Sequence, residues 1–372
     1  MKRYRIILIC LAALLLGGCS WMDGSYLSVK PHMGQNVSTQ AKVRTASNYL
    51  QLRTALEEMV DSGVENAVIN VAGYRTDLVE EGVANAVLHT KQRYPLGAYA
   101  VEDISYEIGT SSGMPAVLVN ISYIHGRSEI RTIKNADDMT DVKELVSEAM
   151  NQCSNGIVVL VKLYEATDLQ QHVEDYMRSN PNIVMELPQV AVGIYPDAGS
   201  NRILEVKFTY ETSRDTLRLM QQQVQRVFAS AQLYINSDAA TEQKCAQLYT
   251  FLMERFDYTM QTSITPFYSL LNHGVGDQEA FATVYAAMCN QAGVECSVVS
   301  GTRNGRSWYW NIVQEDGVNY HVDLIRCSES GSFRWLTDDQ MEAYVWDYSA
   351  YEIPVTEETE PVPTETVPDP TE

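Results

Sequence analysis

Apolar and polar positions alternate along the chain in two periods, and the same order of periods appears twice. Tyr49 to Met59 spaces its apolar residues as one face of a helix, and Ala67 to Tyr74 follows as a mainly apolar strand. The order returns with a helix over Val142 to Met150 and a strand over Ile157 to Tyr164. A second helix follows in each copy, around Leu78 to Arg93 and around Leu169 to Arg178, and two strands close each unit. The closing strands Val117 to Tyr123 and Leu204 to Tyr210 alternate strictly, with their tyrosines in step. An α-β-α-β-β unit repeating at roughly 90 residues predicts two α+β units side by side, over 45–139 and 140–235. Neither copy carries a chemical motif, and the tyrosine-rich strands are read as packing surfaces.

From about residue 236 the pattern changes. Ser237 or Asp238 is placed to cap a helix whose apolar stripe is Cys245, Leu248, Leu252 and Phe256. After a loop, a second helix buries Phe281, Val284, Tyr285 and Met288, with Asp277 as its cap and Gly293 as its end. A strand over Glu295 to Val299 comes next. Then Trp308 to Glu315 and Val318 to Asp323 flank Asp316-Gly317, a pair suited to a two-residue hairpin turn. On that register Trp310 faces Asp323 and Trp308 shares the face, while His321 is expected on the opposite one.

The two ends read differently from the body. Lys2, Arg3 and Arg5 precede an unbroken apolar run from Ile6 to Leu16, too short for a spanning helix of roughly 20 residues but suited to a signal peptide. Leu16-Gly17-Gly18-Cys19 resembles the lipobox of bacterial lipoproteins. That resemblance implies a signal peptide over 1–18, acylation of Cys19 (a palmitate-type modification) and a lipidated tether over 19–44, holding the protein on the extracytoplasmic face of the membrane. Residues 354–372 alternate Glu, Pro, Thr and Val without a basic residue and are expected to form a disordered acidic tail.

Charge narrows the partners. The 372 residues carry a formal net charge of −21, and losing residues 1–18 would remove three cations and deepen it. Nucleic acid is therefore excluded as a partner by repulsion. Of 7 cysteines, Cys10 and Cys19 belong to the leader and the anchor. The remaining five, Cys153, Cys245, Cys289, Cys296 and Cys327, are too irregularly spaced for a disulfide framework; Cys289 and Cys296 are expected to pack, or pair, between helix and strand. No Cys and His spacing reads as a zinc site, and no metal or cofactor is expected.

The segment 236–353 resembles the transglutaminase-like domains of the papain-related superfamily. The resemblance rests on Phe281-Ala282, Ala292-Gly293-Val294, Val299-Ser-Gly301, Trp310-Asn311, Asn319-Tyr-His-Val-Asp323, Trp335-Leu-Thr-Asp-Asp and Tyr344-Val-Trp-Asp347, in that order. It implies a cysteine at a helix amino terminus, a histidine base on a strand and an aspartate on the paired strand. The positions that match are Gln278, Trp308 and Asp323. Glutamine is no nucleophile and indole offers only an N–H donor, so the nucleophile and the base are absent. Among neighbours, His273 lies in the preceding loop, whereas Cys289 stands three helical turns past Gln278.

The resemblance with two positions replaced implies a catalytically silent domain. Its former cleft, lined by Gln278, Trp308, Trp310 and Asp323, either accepts a peptide or glycan or is filled by the Trp308 indole. The expected role is binding or scaffolding at the cell envelope, with a peptide, a glycan or an envelope protein as partner. The alternative is an active cysteine peptidase, amidase or transglutaminase with a non-standard arrangement of residues.

Overall fold

The computed structural model describes residues 44–260 and 266–351. The expected signal peptide, Cys19, nearly all of the tether and the acidic tail lie outside the described residues. Among the described residues no helix is long and apolar enough to cross a membrane.

Among the described residues, three four-stranded sheets organise the fold. The first is built from β1 (Arg44–Thr45), α1 (Tyr49–Asp61), β2 (Asn66–Asn70), α2 (Val79–Gln92), α3 (Pro95–Ala100), β3 (Val101–Ser111) and β4 (Met114–Tyr123). Its strand order is β1-β2-β4-β3, with β1 parallel to β2 and the other pairs antiparallel. Asn48 caps α1 by accepting the Gln51 N–H at 3.0 Å. Leu52, Leu56, Met59 and Val60 of α1, with Val83 and Ala86 of α2, then pack on Ile69, Val117, Val119 and Ile121 of the sheet.

The second sheet comprises β5 (Lys134–Ala136), α4 (Met139–Asn151), β6 (Gly156–Val161), α5 (Leu169–Ser179), β7 (Gln189–Tyr195) and β8 (Arg202–Thr209). Its order is β5-β6-β8-β7, again with one parallel edge pair and two antiparallel pairs. Asp138 and Asp168 cap its two helices. Both sheets thus gain a short parallel edge strand that hydrophobic pattern does not announce, because two or three residues carry too little periodicity to register. Helix α3 joins the two sheets: its Tyr99 and Ala100 are buried with Ile130 and Ile203. Gly97 permits the approach, since a Cβ there would stand 1.9 Å from the Thr90 carbonyl oxygen.

The third sheet follows α6 (Arg214–Tyr234), α7 (Thr241–Met253), β9 (Asp257–Tyr258), β10 (Val275–Gly276) and α8 (Gln278–Gln291). It contains β11 (Cys296–Arg303), β12 (Arg306–Glu315), β13 (Val318–Val322) and, after α9 (Leu324–Ser330), β14 (Tyr344–Val345). The order is β13-β12-β11-β14, antiparallel throughout. Asp316 (φ 50°) and Gly317 (φ 75°) make the expected two-residue turn of left-handed residues.

Two expectations shift here. Helix α7 begins at Thr241 behind Ala240, with no side-chain cap, so neither Ser237 nor Asp238 starts it. Helix α6, unannounced in the sequence reading, sends Leu217, Val224, Phe228 and Ala231 into the core of the carboxy-terminal part. One face of the third sheet packs on α8 through Val313 and Val322, with Asn311 Nδ2 donating to the Ala282 carbonyl at 2.8 Å. The other face is covered by Met341, Tyr344 and Trp346, which pack on Val299, Trp310 and Ile312.

Candidate functional site

The amino terminus of α8 forms one half of the site. Asp277, 3% exposed, caps the helix by accepting the Ala280 N–H at 2.9 Å, as its place in the sequence leads one to expect. Gln278 is the first helical residue and is half-buried. The two-residue strands β9 and β10 pair in parallel and set Tyr258 opposite Gly276, beside this terminus. The Tyr258 hydroxyl reaches Gln278 Oε1 at 3.5 Å, a weak hydrogen bond. Burial raises the proton affinity of Tyr258, and Asp277, Glu329 and Asp323 add to it while Arg303 opposes. The phenol therefore feels both halves of the site.

Asp323 forms the other half, at the junction of β13 and α9, and is 3% exposed. Its Oδ1 accepts the N–H groups of Ile325 and Arg326, both at 3.0 Å, capping α9. Its Oδ2 accepts Trp308 Nε1–H at 2.8 Å and the Tyr344 hydroxyl at 2.6 Å. Arg303 stands 3.7 Å from the same oxygen, bonds Glu329 at 2.8 Å, and lays its guanidinium 5.1 Å from the Trp308 ring centre. Burial, then the Asp323 charge and bond, push the Tyr344 phenol well above its ordinary range. Such a carboxylate has little acceptor capacity left.

The remaining candidates separate. Trp310 is 1% exposed and lines no open cleft; it is packed edge-on against Tyr344 and Trp346. His321 is opposite Ile312 in the ladder and so shares the face of Trp310 and Asp323, contrary to the expected opposite face. Two residues along a strand restore the same side, which dictates this outcome. Trp310 Nε1–H donates to His321 Nδ1 at 2.9 Å, so His321 Nε2 carries the proton and faces Asp338 Oδ1 at 2.6 Å. Burial lowers the His321 proton affinity, against the pull of Asp338. With both ring nitrogens engaged, His321 is held as a neutral structural group.

His273 is exposed, its ring edge-on to Tyr268. All five cysteines among the described residues are buried and free, so Cys289 and Cys296 do not form a pair in this structure. Burial raises the thiols of Cys153, Cys289 and Cys327, the last to about 11, while hydrogen bonding with Cys289 and then burial raise Cys245. These thiols stay protonated and poorly nucleophilic at neutral pH.

Residues 229–347 match the family model described as the transglutaminase-like superfamily. The chain carries a transglutaminase-like domain. No curated protein matches the chain. Among solved structures it is similar to a TGase (11% identity, 58% of this chain and 63% of that one, TM-score 0.26), and so spans less than two thirds of that protein's length. It is also similar to a candidate cysteine protease from Cytophaga hutchinsonii (10% identity, 42% and 70% covered, TM-score 0.25). A third likeness is to a candidate protease from Parabacteroides distasonis (9% identity, 69% and 39% covered, TM-score 0.22). The family-model match is what establishes the domain.

Within this transglutaminase-like domain the sequence reading missed Tyr258 and Arg303 as members of the site. Tyr258 arrives through a two-residue strand pair with no sequence signature. Arg303 ends a strand whose partner is β12, and only the fold sets it beside Trp308. Tyr344 stood inside the quoted Tyr344-Val-Trp-Asp347 segment, so its presence was legible but its bond to Asp323 was not.

Proposed function

We propose that the chain is a lipid-anchored, extracytoplasmic protein whose transglutaminase-like domain is catalytically silent and serves as a binding or scaffolding module at the cell envelope. One observation carries the silence: Asp323, the group that would orient a base, already accepts bonds from Trp308, Tyr344 and two backbone amides. The Trp308 N–H occupies the carboxylate as an imidazole N–H would, but indole has no basic nitrogen with which to take a proton. Gln278 supplies no nucleophile, and the thiols described above are buried in the core. Trp308 is half-buried and packs against both cores of the domain, so it serves as filling for the former cleft.

The anchor reading rests on the cationic start, the apolar run and Leu16-Gly17-Gly18-Cys19. The duplication reading rests on the matching α-β-α-β-β order and on the shared strand order of the two amino-terminal sheets. In this reading they are spacers that carry the domain away from the membrane.

The test is turnover by the purified chain. Incorporation of a fluorescent primary amine into a glutamine peptide, and hydrolysis of a peptide mixture, should both stay at the blank. Turnover abolished by a thiol alkylator would overturn the silent reading. For the anchor, cells fed an alkynyl palmitate analogue should label the wild-type chain and not Cys19→Ser; equal labelling of both would refute it.

A further inference from the structure

A cavity of about 650 Å³, lined by neither Gln278 nor Trp308, runs between α5 and α8, with β11 and Tyr351 completing its wall. This volume falls within the range of small-ligand sites. From α8 it takes Glu279, Thr283, Ala286, Ala287 and Asn290, residues that recur on one face of the helix. That stripe covers 11 residue steps, about 16 Å at the helical rise, which matches four or five residues of extended chain. Its central side chains are small, so a bound chain can approach the helix closely. Opposite them stand Asp175 and Arg178 of α5, with Tyr309 and Tyr351 at the sheet side.

The charges in this groove are unequally satisfied. Arg178 is engaged by its own helix, 3.8 Å from Glu174 and 3.5 Å from Asp175. Glu279 is half-buried and makes no side-chain hydrogen bond or ion pair among the described residues; Arg178 acts on it only at longer range. Burial and the neighbouring Asp277 both disfavour its charge. A cation delivered into the groove would relieve that cost, whereas a neutral ligand would cover the carboxylate and leave it unpaired. The Tyr351 hydroxyl is committed to the Val298 carbonyl at 3.0 Å, so its ring, rather than its hydroxyl, is what it offers. The Tyr309 hydroxyl makes no hydrogen bond among the described residues and is left for a ligand backbone.

We propose that this groove binds an extended peptide of four or five residues with a primary ammonium side chain set on Glu279. The inference does not depend on whether the domain is catalytically silent, because it uses none of the residues at the Gln278–Asp323 site. The experiment is fluorescence polarisation with the full chain in detergent. Three probes are compared: capped pentapeptides randomised around a central lysine, the same mixture with central norleucine, and a neutral chitin tetrasaccharide, all labelled.

The lysine mixture should bind saturably and at least tenfold more tightly than the norleucine mixture, the discrimination expected of one charge-assisted contact. Glu279→Gln should weaken lysine-peptide binding about tenfold and leave the norleucine mixture unchanged. Ala287→Trp, which fills the groove, should abolish binding, and Ser300→Trp should do so from the opposite wall if the first variant melts early. Equal binding of the lysine and norleucine mixtures overturns the proposal, as does preference for the tetrasaccharide or lack of any lysine-peptide binding at millimolar concentration. None of these outcomes bears on turnover, so the two readings stand or fall separately.

Discussion

The two halves of the candidate site are held with very different firmness. At the start of α8, Gln278 is half-buried and linked to Tyr258 by one contact of 3.5 Å. At the end of β13, Asp323 is almost wholly enclosed and accepts four hydrogen bonds of 2.6 to 3.0 Å, with Arg303 alongside. The Asp323 carboxylate ties β12, α9 and the carboxy-terminal wrap together. Gln278 is held by no comparable set of bonds among the described residues. A buried carboxylate must have its acceptor positions satisfied, whereas a half-buried amide can be left to solvent.

That contrast predicts a graded set of effects. Asp323→Ala should be the most damaging, at about 3–5 kcal/mol, because it strands the Trp308 and Tyr344 donors and two helix amides. Urea unfolding measures it, and a loss similar to an ordinary surface change would remove the tie from the argument. Trp308→Phe keeps most of the packing but loses the indole N–H and its guanidinium contact, so about 1–3 kcal/mol should disappear in the same titration.

Next comes pH. His321, His172 and His89 have proton affinities lowered chiefly by burial, so each takes a proton less readily when folded than when unfolded. Their contribution to stability is present above the ordinary value of 6.5 and is lost as pH falls below it toward the lower folded values. Unfolding free energy should therefore decline from pH 7.5 to 5.5, and His321→Gln should flatten part of that slope; an unchanged slope would show that His321 is not held neutral. Gln278→Ala should be the mildest, within about 0.5 kcal/mol. A larger cost there would erase the difference between the halves.

Much of the fold was legible because it repeats simple periods. Helices α1, α4, α5 and α8 lie within a few residues of their expected spans, and the Asp316-Gly317 turn has the backbone that the pair demands. Asp277 caps α8 as its sequence position implies. What failed was local in a different sense. Ser237 and Asp238 looked like caps on composition, but the helix starts at Thr241 behind Ala240, with no side-chain cap. Trp310 was read as lining a cleft because it shares a strand face with Trp308. The carboxy-terminal segment folds back over that face and buries it, a contact with residues some thirty positions away.

Sequence alone settled that Gln278 brings no nucleophile and Trp308 no basic nitrogen to the candidate site, since chemistry follows from residue type. The expected opposite face for His321 was wrong, because residues two apart on a strand share a side and His321 therefore lies on the face of Asp323. Only the tertiary structure decided which donors satisfy Asp323, that Arg303, Tyr258 and Tyr344 join the site, and that a half-buried Glu279 faces a groove built with α5. Those outcomes depend on distances between segments far apart in the chain, set by how helices and sheets pack, and no local pattern encodes them.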